Sequence, residues 1–114
     1  MKCIKVILSR EVANFLDSLP KAAATKIGGI IRRVSLGESN ADIFKKLSGS
    51  PIWEFRAKHA GIAYRIFAFW DTEAEALVFT THGLVKKTQK TPPREIERAE
   101  RIMKEYFDKK KKLN

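Results

Sequence analysis

The sequence predicts an α+β domain: a small antiparallel sheet built from one strand, a two-helix hairpin and a three-strand meander, followed by a C-terminal helix. Three observations predict it. Apolar residues fall at helical spacing twice between Val12 and Val34, branched and aromatic residues crowd the stretch from Ile52 to Leu84, and a helical period returns after Pro92-Pro93. At 114 residues the chain is expected to form one domain over 1–114, with a basic tail at about 108–114.

The run Cys3 to Leu8 is short and rich in β-branched side chains, so it reads as a first strand, with Ser9 as the N-cap of a helix directly after it. Cys3 is the single cysteine and is expected to be a small core residue. From Glu11 to Leu19 the set Val12, Phe15, Leu16 and Leu19 stands at i, i+3, i+4, i+7, one face of a helix. Pro20 interrupts it and suits the first turn of a second helix, which carries Ala23, Ile27, Ile30, Ile31 and Val34 on one face and closes at Gly37. Asn40 to Leu47 reads as one or two more helical turns, and Ser48-Gly49-Ser50-Pro51 as the break before the sheet. Ile52–Lys58 and Gly61–Trp70 then predict a β-hairpin turning at His59-Ala60, and Glu75–Leu84 a third strand. Thr91 is expected to cap the last helix, with Pro92 in its first turn and Ile96, Ala99, Ile102, Met103 and Phe107 on its apolar face. Lys109 to Lys112 read as a solvated, frayed end.

Twenty-three basic residues against 13 acidic ones give a net charge of +10, a balance that favours polyanionic partners through counterion release and long-range steering. The excess is uneven: +5 over residues 1–51, −1 over 52–81 and +6 over 82–114. A hydrophobic fraction of 44% excludes a disordered chain, and one cysteine excludes an intramolecular disulfide and a cysteine-based zinc site. The two histidines have no carboxylate at ligand spacing, and no phosphate loop or dinucleotide fingerprint occurs, so neither a metal nor any other cofactor is expected. No run approaches a membrane span and the N-terminal apolar run is too short for a signal peptide, so the expectation is a cytoplasmic protein without a membrane partner.

The chemistry concentrates in His82-Gly83-Leu84-Val85-Lys86-Lys87-Thr88-Gln89-Lys90-Thr91-Pro92-Pro93, which places an imidazole and three lysines between the last strand and the last helix. A histidine titrates near neutrality and ammonium groups hold phosphates, so the segment suits a phosphate-bearing ligand. His82 is expected at a strand end, its pKa pushed down by the lysines, and His59 exposed in the hairpin turn. Strand alternation puts Glu54, Arg56 and Lys58 on one face. With a loop at His59-Ala60, Glu54 pairs across from Arg65, so that two guanidiniums and a carboxylate cluster. Such a cluster is either a surface ion pair or a grip on phosphate that stabilises charge developing during nucleophilic attack.

Several of these residues form a larger pattern. Lys45-Lys46-Leu47-Ser48-Gly49, Ile52-Trp53-Glu54-Phe55-Arg56, Tyr64-Arg65-Ile66-Phe67 and His82-Gly83 through Lys86-Lys87-Thr88-Gln89-Lys90-Thr91-Pro92 with Glu95-Ile96 succeed one another in order. Over about residues 45 to 105 the chain resembles the phage-derived, HigB-like branch of the RelE/ParE type II toxin superfamily. The resemblance implies a small toxin neutralised by a cognate antitoxin, of helix-turn-helix type, and acting as a ribosome-dependent mRNA endoribonuclease, an mRNA interferase that inhibits translation. It implies catalytic roles for Arg56, Arg65, His82, Lys87 and Lys90, and RNA binding by Lys86 and Lys58. His82 or a neighbouring lysine would take the proton of a ribose 2′-hydroxyl. Two other readings stay open: ParE-type toxins of the same fold inhibit DNA gyrase without cutting RNA, and a non-catalytic nucleic-acid-binding module would use the same cations.

Overall fold

A computed structural model describes residues 3–87 and 90–113. The elements run β1 (Lys5–Ile7), α1 (Arg10–Asp17), α2 (Lys21–Ser35), β2 (Phe44–Lys46), β3 (Trp53–His59), β4 (Ile62–Trp70), β5 (Leu77–Lys86) and α3 (Pro93–Leu113). The five strands form one sheet in the order β1-β5-β4-β3-β2. The α+β expectation holds, with two refinements to the sheet. The edge strand β1 pairs parallel with β5, so the sheet is mixed. The stretch expected to add helical turns instead makes a tight turn and then β2, antiparallel to β3. Phe44 and Lys45 explain the difference: adjacent apolar and charged side chains suit a strand with one buried face, and Phe44 stacks on Phe55 at 4.3 Å between ring centroids.

Ser9 caps α1 as its sequence suggests, its hydroxyl accepting from the Val12 N–H at 3.0 Å. Pro20 opens α2, and Gly37 ends it at a φ of +101°, a backbone conformation open to glycine at little cost. The buried stripe of α2 is the one its spacing predicts, Ala23, Ile27, Ile30, Ile31 and Val34. Both helices cover one sheet face, α1 over β5 and α2 over β3, on a core that includes Phe55, Tyr64, Ile66, Ala68 and Val78. Cys3 precedes β1 and is exposed, outside this core, which corrects its expected burial.

The hairpin turns one residue later than expected. His59 pairs with Ile62, and the two-residue loop is Ala60-Gly61, with φ of +52° and +79°. Two positive φ values in succession match the strand twist of a tight hairpin. The shift moves the whole register, so Arg56 faces Arg65 and Glu54 faces Phe67. It also puts His59 at a strand end, half-buried rather than exposed.

β5 runs two residues beyond the expected end, through Gly83 to Lys86. Gly83, inside the expected strand, admits the ring of Phe15 from α1, and a Cβ at this position would come within 2.3 Å of that ring. An irregularity in the β4–β5 ladder lies between Ile66 and Ala68. On the face away from α1 and α2, α3 covers Phe67, Phe69 and Phe79 with Ala99, Ile96, Met103, Tyr106 and Phe107. Its C-terminal half is tied to the end of β4. The Tyr106 hydroxyl donates to Asp71 Oδ2 at 2.5 Å, and Lys110 Nζ donates to the same oxygen at 2.7 Å. The lysine run therefore continues a helix to Leu113 where a frayed tail was expected, because Lys110 has a buried carboxylate to hold.

Candidate active site

α3 crosses only part of its face. At the hairpin end, the strands present Glu54 and Arg56 from β3, Arg65 from β4 and Lys86 from β5 on the same side. An open groove of about 380 Å³ is lined by Lys45, Lys46, Glu54, Arg56, Lys86, Lys90 and Thr91, among others. Arg56 also borders a second hollow with Lys58, Arg65 and Asp42. Lys86 borders a third with Lys87 and Arg94.

The centre of this surface is a buried carboxylate. Glu54 is 3% exposed, and its Oε2 lies 3.5 Å from Arg56 Nε and 3.4 Å from Arg65 Nε. Its Oε1 accepts from the Thr91 hydroxyl at 3.0 Å. The two Nε–H groups are buried but make no hydrogen bond, so Glu54 holds the guanidiniums by charge while leaving donor capacity unused. Arg65 donates through Nη1 to the Tyr64 carbonyl at 3.0 Å. Burial lowers its pKa, with Glu54 opposing and Arg56 adding to the shift, although a guanidinium stays protonated throughout. Arg56 is the more open of the pair, with 32% of its side chain exposed.

Lys86 completes the cluster from the third strand. Its pKa is lowered by burial first and by the charge of Arg65 next, with Glu54 opposing and Arg56 adding a smaller push. The amine therefore sheds its proton more readily than a lysine in water, which is the property a proton-transfer group needs.

His82 lies elsewhere. It is fully buried in the middle of β5, its ring 4.8 Å from that of Phe67. Nε2 is 3.1 Å from Glu95 Oε1 on α3, and Nδ1 is 3.0 Å from the Thr81 hydroxyl. Because an ionised Glu95 can only accept, Nε2 carries the proton and Nδ1 accepts from Thr81. Burial lowers the pKa of the ring most, and Arg98 lowers it further, while Glu95 and Glu11 oppose. The expected cause, repulsion by the lysines after the strand, is not the one acting.

A family model described as "Phage derived protein Gp49-like (DUF891)" matches residues 14–104, most of the chain. The chain belongs to this Gp49-like family. No curated protein matches. Among solved structures, the Gp49-like chain is similar to the Escherichia coli toxin RelE, in a double arginine-to-alanine variant in the free state. The TM-score is 0.59 at 13% identity, over 76% of this chain and 87% of that one. It is also similar, at a TM-score of 0.49 and 13% identity, to the toxin–antitoxin complex RelBE2 from Mycobacterium tuberculosis, over 74% of this chain and 99% of that chain. The phage-derived family and the RelE-like fold agree with the resemblance carried by the sequence motifs.

In this Gp49-like protein the structure brings together Arg56, Lys58, Arg65, Lys86, Lys87 and Lys90 from the residues singled out in sequence, and sets His82 apart. Thr88 and Gln89 of the same segment lie outside the described residues. Two participants were hidden. Thr91 was expected to cap the last helix, but that helix starts at Pro93 and the hydroxyl is directed at Glu54. Lys45 faces the site because it pairs with Glu54 across β2 and β3. Its signal was the apolar–charged alternation of Phe44 and Lys45, masked by a helical reading of the segment.

Proposed function

We propose that this protein is the toxin of a type II toxin–antitoxin pair and acts as a ribosome-dependent mRNA endoribonuclease. The observation that carries the reading is the pair of arginines held by one buried carboxylate, Arg56 at an open cationic groove and both at the hollow beside it. Planar arginines bind phosphate oxygens in pairs, and they stabilise the extra charge of an attacked phosphate better than they stabilise the ground state.

In this mechanism the 2′-hydroxyl of the nucleotide before the scissile phosphate loses its proton to the neutral amine of Lys86. The oxygen attacks the adjacent phosphorus in line, and the bond to the 5′-oxygen breaks. The products are a 2′,3′-cyclic phosphate and a 5′-hydroxyl, the departing oxygen taking a proton from the Lys90 ammonium or from water. Arg56 and Arg65 hold the non-bridging oxygens, Glu54 fixes both guanidiniums, and Lys45, Lys58 and Lys87 hold flanking phosphates. Lys86 thus takes the base role that sequence divided between His82 and a neighbouring lysine. The cytoplasm is the matching compartment, and a helix-turn-helix antitoxin covering the groove is the matching partner.

The test is to induce wild type and Arg65→Ala in a bacterial host and map mRNA 5′ ends on translating ribosomes within minutes. Cuts in translated messages, absent in a variant that still folds, support the assignment. Growth arrest without cuts favours gyrase inhibition, and a fully toxic, folded Arg65→Ala protein refutes the site.

A further inference from the structure

His82 sits behind the groove rather than in it, yet it is joined to the groove by a short chain of contacts. Its Nε2 reaches Glu95 in the first turn of α3 at 3.1 Å. The Glu95 N–H donates to the Pro92 carbonyl at 3.0 Å, which ties that turn to the segment just before it. One residue further back, the Thr91 hydroxyl donates to Glu54 at 3.0 Å, and Lys90 and Thr91 both line the groove. The ring itself cannot rotate freely. Thr81 holds Nδ1, Phe67 lies against one face, and the residue has no exposed surface. The same turn of α3 is held from the other side by an ion pair between Arg98 and Glu11 of α1.

We propose that His82 is a positioning residue, whose Nε2–H bond to Glu95 seats the start of α3 so that Thr91 orients Glu54 and Lys90 stands at the groove. The inference rests on the nuclease reading for its kinetic consequence, but not for its structural one. A ring buried this way does not touch substrate. Its role is to fix, from beneath α3 on the same face of the sheet, a carboxylate that in turn fixes two guanidiniums, and errors of about 1 Å in such positioning cost roughly a hundredfold in rate. The charged groups facing the ring are Glu95 and Arg98 from α3 and Glu11 from α1.

The test uses the full-length protein and compares wild type with His82→Ala, His82→Gln and Glu95→Ala in cleavage of ribosome-bound mRNA. A glutamine amide can donate to Glu95 in place of Nε2–H but cannot shuttle a proton near neutrality. His82→Ala and Glu95→Ala are expected to lower kcat by roughly 10–100-fold with KM little changed, while His82→Gln recovers to within about threefold of wild type. The pH profile of His82→Gln should match that of wild type. A glutamine variant as inactive as the alanine variant would mean the imidazole itself moves a proton, which overturns the inference. So would a folded Glu95→Ala protein with normal kcat, the deciding case if His82→Ala does not fold. If wild type cuts no RNA, the nuclease reading fails, and the Thr91 methyl signal in NMR decides the positioning role alone. A signal displaced in His82→Ala and restored in His82→Gln upholds it, and an unmoved signal refutes it.

Discussion

At the scale of single residues, the site is a problem of where charge is held and where it is released. Glu54 lies between two guanidiniums, and Lys86 reaches the same cluster with its pKa lowered by burial and then by Arg65 and Arg56. The direction of that shift sets a pH dependence. A lysine acting as base works only in its neutral form, so the cleavage rate should climb as pH rises and level off above the pKa of Lys86, which lies below that of a lysine in water. Lys86→Arg keeps the positive charge but cannot deprotonate, so it should lose the pH-dependent rise and about 10²–10⁴ in rate. Single-turnover cleavage between neutral and alkaline pH measures both. A Lys86→Arg protein that retains the wild-type profile would assign the proton to another group, with Glu54 the nearest carboxylate.

The elements show why those residues meet and which parts of the architecture were readable beforehand. The apolar stripes of α1 and α2 and the two long strands of the hairpin were legible because their periods span seven or more residues and each names a buried face. The hairpin register was misread because Gly61 was assigned to the strand although it takes the second positive φ of the loop, and moving the turn by one residue changes the partner of Glu54 from Arg65 to Phe67. Gly83 has a tertiary role that one strand's sequence does not show: it admits the close approach of Phe15 from α1. Gly83→Ala should therefore overpack this contact and cost about 1–3 kcal/mol, read as a fall in the urea midpoint. In a Phe15→Ala background the same substitution should cost much less. Equal costs in both backgrounds would show that the ring moves aside.

The other end of the sheet makes a separate prediction about α3. Tyr106 donates to Asp71 at 2.5 Å, and its pKa is raised to about 12 by burial and by that carboxylate. Removing the hydroxyl leaves a 2% exposed Asp71 with Lys110 and the Glu73 N–H as its remaining donors. Tyr106→Phe should cost about 1–3 kcal/mol of stability, seen as a lower Tm, and should leave cleavage near normal. This latch lies beyond Trp70, at the opposite end of β4 from the hairpin turn. Loss of cleavage without loss of stability would instead bring the C-terminal half of α3 into the site.

For the molecule as a whole, the question is whether binding tracks the net charge of +10 or the small group of cations at the hairpin end. The two alternatives differ in salt dependence. Single-stranded RNA held by Z cations shows a slope of about −0.7Z in log K against log salt. Lys45, Arg56, Lys58, Arg65, Lys86, Lys87 and Lys90, with Glu54 cancelling part of their charge, correspond to about six phosphates and a slope near −4 for a short oligonucleotide. Lys58→Ala should reduce the magnitude by about 0.7, whereas Lys111→Ala with Lys112→Ala, on exposed residues at the far end of α3, should leave it unchanged. Fluorescence anisotropy across a potassium chloride series reads these slopes directly. If the tail variants flatten the slope as much as Lys58→Ala, the RNA tracks diffuse charge and the groove loses its claim to be the binding site. A local response would mean that β2 and the hairpin, by setting Lys45, Arg56 and Lys58 beside one buried carboxylate, turn a generally basic chain into one with a defined place for a phosphodiester.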